Sequence, residues 1–340
     1  PWTRDDARTL AALSAAGLVF VAALLLATTP PDALTALDSY SVTRYNVIAG
    51  AIGIVAALLV TATSAVMTRK YPQASGIALA HTVPFLTAAS ALRLSQSHWD
   101  TAGWGWTGLG LLIGSLAVLA LPKRYRISIA APLVVGTVLA ATGLLVRLGQ
   151  LSQAGISAIL FALVIVLLQV APWIALAHIP VRILDADTTE QIPAKGITDQ
   201  VSTSFVFVVA LRAGGAIAAL FLAVALMTAP ETRSISLPLT LIVLGAVSLV
   251  LQTRSIRARV EVLLGALTGL IVILVATVLG AYADPRTMPW LTLSAIATAL
   301  VLVITNVVGP RARPHLTRLA DTISVLSLFV LLPLAVYLWS

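Results

Sequence analysis

The chain is 340 residues long, 59% hydrophobic and only 10% charged, with a mean hydropathy of +1.01. A soluble domain carries about 25% charged residues, so a water-exposed globular fold is excluded and the bilayer is the solvent. The net charge of +8 is not a nucleic-acid footprint, because the basic residues lie in short loops beside apolar stretches, where they act as topology signals and lipid head-group contacts.

A membrane-crossing helix needs about 20 apolar residues. Eleven stretches qualify, at 10–28, 47–67, 76–92, 104–121, 127–146, 154–177, 205–227, 235–251, 260–282, 288–308 and 323–339. The first is not a signal peptide, since it lacks a small-residue cleavage site and ten spans follow. Their Ala/Leu/Val richness, without period-2 alternation, predicts helices rather than barrel strands. The expected fold is an all-α polytopic transmembrane bundle of 11 helices. The segment 178–204 carries four acids and two prolines and is read as a cytoplasmic loop dividing the bundle into halves 1–177 (helices 1–6) and 205–340 (helices 7–11). The other loops are short, so sequence neighbours are expected to pack antiparallel.

The loops also predict orientation. One side carries Arg4, Arg8, Arg69, Lys70, Lys123, Arg124, Arg126, Arg182, Lys195, Arg254, Arg257, Arg259, Arg311, Arg313 and Arg318; the other only Arg44, Arg93, Arg147, Arg233 and Arg286. That threefold bias predicts a cytoplasmic N-terminus and an extracytoplasmic C-terminus. Trp99, Trp104, Trp106, Trp290 and Trp339 fall at outer span ends and Trp173 at an inner one, positions where an indole keeps its N–H in the wet interface.

Arg212 alone among the basic residues falls inside a span, seven residues in. Either its side chain snorkels, or residues 205–211 form an interfacial helical start with the membrane entered near Arg212; the second reading is preferred. Apart from it, no acid or base lies near the middle of a span, which argues against a proton-coupled transporter. Glu261 and Asp321 sit at span starts, where carboxylates complement the helix dipole.

Few residues suggest chemistry. Cysteine is absent, which removes disulfides and thiolate metal sites, and no cofactor is expected. Asp185 and Asp187 resemble the paired acids that hold a divalent metal and a diphosphate, but no second acidic cluster accompanies them. His81, with Pro84, Thr82 and Thr87, lies in the third span and reads as a packing residue; Pro84 is expected to kink that helix, with the threonines compensating in part. His98, His178 and His315 lie at span ends without metal spacing. Asn306, in the tenth span, is expected to serve as an interhelical hydrogen-bond donor and little more. The pairs Gly110/Gly114 and Gly265/Gly269 have the spacing that lets helices approach closely, within the fold or between subunits. Three readings follow: a structural membrane subunit, a small-molecule or lipid permease using His81 or Asn306, and a glycosyl- or prenyltransferase using Asp185 and Asp187.

The layout and two local stretches resemble one family. Arg254-Ser-Ile-Arg-Ala-Arg259 runs straight into span nine. The chain closes with Gly309-Pro-Arg-Ala-Arg-Pro-His-Leu-Thr-Arg-Leu-Ala-Asp321 and Leu331-Leu-Pro-Leu334. Together with the span count and the inner loop after span six, these are similar to EccD, the multi-pass subunit of mycobacterial type VII (ESX) secretion systems. The central loop is shorter than the family pattern. The resemblance implies a non-enzymatic scaffold in the inner membrane of a mycobacterial-type envelope, and a cytosolic ubiquitin-like domain before residue 1. It also implies pairing with a second copy around a lipid-lined vestibule, and EccB, the EccC ATPase and EccE as neighbours. Arg254, Arg257, Arg259, Arg311, Arg313 and Arg318 are then candidate contacts for those partners or for lipid head groups.

Overall fold

A computed structural model describes residues 4–28, 39–70, 75–96, 101–119, 129–177, 194–230, 235–252, 259–283 and 313–339, with isolated positions between 286 and 296. Every element of it is helical: α1 (Arg4–Thr28), α2 (Ser39–Lys70), α3 (Ser75–Leu94), α4 (Thr101–Leu119), α5 (Ala130–Gly149), α6 (Gln153–Ala177), α7 (Ala194–Met227), α8 (Ser236–Gln252), α9 (Arg259–Ala283) and α10 (Arg313–Trp339). Nine of these described helices are long and apolar enough to cross a membrane; α8 is apolar but shorter. Ten of the eleven expected spans coincide with a helix. Of the span expected at 288–308 only isolated positions up to 296 are described, and the rest lies outside the described residues.

Many of the hydroxyls on the apolar helices are spent on the helix that carries them. Thr61, Ser90, Thr107, Ser115 and Thr142 donate to the carbonyls of Ala57, Leu86, Gly103, Leu111 and Val138, four residues back, at 2.7–2.8 Å. This pattern lets a polar side chain sit in hydrocarbon without an orphaned O–H. Helix α3 runs through Pro84 without interruption.

The chain forms two compact units, Pro1–Gly149 and Gln150–Ser340. Helix α6 packs on α7, α8 and α10 within the second unit, and residues 178–193 of the segment expected to divide the bundle lie outside the described residues. Sequence adjacency is also a partial guide. In the first unit α3 is central, flanked by α2 and α4, with α5 on α4. Helix α1 packs on α3 far more than on α2, with Phe20 and Phe85 edge to face at 5.4 Å. Its core is built from small and branched residues, among them Ala57, Ala80, Val83, Leu86 and Val118.

In the second unit α6 packs on α7, α7 on α9, α8 on α9, and α10 on both α6 and α8. Phe161, Ile165, Leu222, Leu226, Ile242 and Leu331 are fully buried there. Small residues dominate the contacts of both units, as close van der Waals packing in lipid requires.

Candidate functional site

Three features of the described residues stand apart from ordinary packing: a stripe of glycines on α4, a buried arginine on α7, and an apolar groove in the first unit.

The stripe consists of Gly103, Gly105, Gly108, Gly110 and Gly114, all buried. A Cβ on Gly110 would lie 2.5 Å from the Thr87 carbonyl oxygen and 2.6 Å from Ala88 Cα. One on Gly114 would lie 2.7 Å from Pro84 Cα. On the other side of α4, a Cβ on Gly105 would lie 3.2 Å from Gly143 Cα of α5. Helices α3, α4 and α5 thus pack backbone against backbone, and the Thr87 hydroxyl reaches the Gly110 carbonyl at 2.8 Å. Of the second glycine pair, Gly269 faces α8, where an added Cβ would meet Val250 Cγ2 at 2.5 Å, and Gly265 lines a small cavity beside Arg212.

Arg212 is 5% exposed. It borders a cavity of about 20 Å³ together with Leu168 of α6, Leu249 of α8, and Leu264, Gly265 and Thr268 of α9. That volume has room for one water molecule. Helix α7 begins at Ala194, well ahead of residue 205, as an early helical start would require. The guanidinium is enclosed by protein. The long arginine stem lets the packing of α6, α8 and α9 cover it, a tertiary fact that depth along one helix could not reveal. Elsewhere in this unit, Gln169 of α6 donates to the Ser248 hydroxyl of α8, and Gln153 donates to the Ala225 carbonyl of α7 at 2.9 Å.

The groove lies between α2 and α4, with α3 as its floor, and encloses about 510 Å³. Near one end of it Arg93 closes α3, donating from Nε to the Leu26 carbonyl of α1 and from Nη1 to Asn46 Oδ1 of α2 at 3.3 Å. Arg93 counted only as a loop cation in the sequence; its role as a clasp of three helices was not anticipated. A basic residue in the last turn of an apolar helix, with an Asn near the start of its neighbour, was the signal available.

The remaining sequence candidates are dispersed. His81 is half-buried and its Nδ1 bonds the Ile77 carbonyl on its own helix at 2.7 Å. Among the described residues no group of three or more His, Cys, Asp or Glu is placed to hold a metal ion. Arg318 is exposed on α10. Arg259 and Arg313 are the first residues of α9 and α10, and nothing is described of their side chains. Arg254, Arg257, Arg311, Asp185, Asp187 and Asn306 lie outside the described residues.

Described helices of this length and apolarity, packed through small residues, define a polytopic α-helical membrane protein. The chain belongs to the EccD family, whose model, the EccD-like transmembrane domain, matches residues 7–340. Two solved structures share the fold. One is a chain from protomer 1 of the ESX-3 core complex, at TM-score 0.71 and 18% identity, covering 100% of this chain and 76% of that one. The other is from the MycP5-free ESX-5 inner membrane complex in State II, at TM-score 0.66 and 15% identity, covering 91% and 72%. No curated protein sequence matches the chain.

Proposed function

We propose that this chain is a structural subunit of a type VII protein secretion complex in the inner membrane, a scaffold and not an enzyme. The observation that carries the reading is the family match over residues 7–340 together with a fold shared with chains of two ESX membrane complexes. The orientation that goes with it is a cytoplasmic N-terminus and an extracytoplasmic C-terminus, supported by the threefold bias of Arg and Lys between alternate loops.

The distribution of exposed apolar surface supports a scaffold. Only 17% of the α1 span, 22% of the α2 and α9 spans and 17% of the α10 span is buried, against 61% for α6. On α9, Leu263, Leu267, Leu270 and Leu274 form one exposed row, spaced three and four residues apart so that they share a helix face. Such faces suit lipid and neighbouring subunits: a second copy bounding a lipid-lined vestibule, and the EccB, EccC and EccE components. Arg254, Arg257, Arg259, Arg311, Arg313 and Arg318 would meet acidic partner surfaces or anionic head groups on the cytoplasmic side. The permease reading is weaker, because His81 spends Nδ1 on its own helix.

Extraction in a mild detergent tests the proposal. The expected result is a large assembly in which this chain co-purifies with an ATPase subunit, two copies per protomer. Isolation of a partner-free monomer that transports a small solute in proteoliposomes would overturn it. Loss of cellular function on replacing both Asp185→Ala and Asp187→Ala, with the assembly intact, would favour the transferase reading instead.

A further inference from the structure

Arg212 carries a permanent positive charge into the interior of the second unit. It lies eight residues into the α7 span that begins at Ser204, about 12 Å along the helix at 1.5 Å per residue. It is 5% exposed. A guanidinium is not deprotonated in proteins, so Arg212 cannot answer burial by becoming neutral as a lysine would. Taking such a charge out of water is unfavourable unless opposite charge or aligned dipoles replace the solvent.

The cavity against Arg212 is shaped for a small counter-charge. Its volume of about 20 Å³ admits one particle of the size of water and is far too small for a phosphate or a carboxylate ligand. Four helices wall it, through Leu168 of α6, Ala216 of α7, Leu249 of α8, and Leu264 and Thr268 of α9, while Gly265 brings no side chain to fill it. Arg212 has a partner elsewhere, but its planar fork carries five N–H donors. Two of its nitrogens, Nε and Nη2, are buried and have no hydrogen-bond partner among the described residues. Donors therefore remain for a ligand in the adjoining space.

The walls favour an anion over water. A buried water makes about three hydrogen bonds. Here it would accept from Arg212, but its own hydrogens would face the side chains of Leu168, Ala216, Leu249 and Leu264. Thr268 is the other polar side chain of the lining, and its hydroxyl already donates to the Leu264 carbonyl at 2.5 Å. A monatomic anion has no hydrogens to place. It accepts charge-assisted bonds from the guanidinium, and away from water the attraction between the two charges is strong.

We propose that the cavity among α6, α7, α8 and α9 is a halide site, in which one chloride ion sits against the Arg212 guanidinium. The site requires only the folded second unit and does not depend on the secretion reading.

Thermal unfolding of the full chain in detergent, with chloride exchanged stepwise for gluconate at constant ionic strength, tests the proposal. Gluconate is too large for the cavity. A ligand that binds only the folded protein stabilises it in proportion to its occupancy. The unfolding temperature should therefore climb by several degrees as chloride replaces gluconate, and bromide should substitute for chloride. Arg212→Met keeps most of the volume without the charge, and Gly265→Ala places a methyl group in the cavity while keeping the charge. Both variants should lose the chloride dependence. An equal rise in Arg212→Met would reveal a general salt effect, and no rise in the unaltered chain would show that water or the chain itself balances the charge. Either result overturns the proposal. Should the variants not fold, anomalous scattering from crystals of the unaltered chain grown in bromide decides. A bromide peak beside Arg212 sustains the site, and its absence there overturns it.

Discussion

Thr87 of α3 donates its hydroxyl to the carbonyl of Gly110 of α4 at 2.8 Å, and the same hydroxyl lies 2.9 Å from the Pro84 carbonyl one turn back. The contact is possible only because Gly110 has no side chain: a Cβ there would meet the Thr87 carbonyl at 2.5 Å. One threonine thus ties a proline-containing helix to its neighbour, at the point where the two backbones come closest.

Gly110→Ala should be destabilising, because the added methyl meets backbone atoms of α3 that cannot rotate away. Overpacking of this kind costs about 1–3 kcal/mol. Gly17, in the exposed α1 face, has no atom within 4 Å of an added Cβ, so Gly17→Ala should be neutral or stabilising by about 0.5–1 kcal/mol through helix propensity. Thermal unfolding of both variants in the same detergent checks the contrast. Equal effects at the two sites would refute backbone contact between α3 and α4.

Arg212 fills space between four helices. Arg212→Ala should enlarge the existing cavity and cost about 2–5 kcal/mol, the range for large-to-small changes in a core. Arg212→Met keeps most of the volume and removes a buried charge, and replacing buried charge by apolar volume is often neutral or better. Its unfolding temperature should stay close to that of the unaltered protein. If methionine is as damaging as alanine, the charge and not the stem holds the site.

Gln169 and Ser248 join α6 to α8 by a side-chain hydrogen bond inside the bundle. A double-mutant cycle with Gln169→Leu and Ser248→Ala should give a coupling of about 0.6 kcal/mol, with about 1.7 as an upper bound for such pairs in membranes. A coupling indistinguishable from zero would show that the bond does not contribute.

Gln150, directly after α5, has φ of 50°, the left-handed region in which a β-branched residue is most strained. The stability order Gln150→Gly above the unaltered chain above Gln150→Val is expected. The valine variant should lose about 1–2 kcal/mol, while the glycine gain is held to about 0.5 kcal/mol by its greater unfolded-state freedom. Circular-dichroism melts of the three proteins would rank them.

The helices were legible because their determinant is local. A bilayer demands a run of about 20 apolar residues whose backbone bonds close within the run, so ten expected spans fall on described helices with ends displaced by a few residues. The largest discrepancies, at α2 and α7, arise where a helix continues past its apolar run: Ala194–Met227 is 34 residues, of which Ser204–Met227 is apolar enough to span. Hydropathy measures the solvent, not the helix.

What only the tertiary structure decided is which faces meet. In a soluble protein the apolar face of a helix announces its core; here both lipid and protein neighbours are apolar, so composition cannot separate Leu222, which is 1% exposed, from Phe329, which is 73% exposed. Hence α1 turned to α3, α6 packed with the second unit, Arg212 was enclosed, and an apolar groove opened between α2 and α4. The amino-acid sequence by itself determined that this chain lives in a membrane, which runs are apolar enough to cross it, and how its loops bias their charge. Packing in a medium without a hydrophobic gradient follows from shape, and shape is set by which small residues find each other across helices.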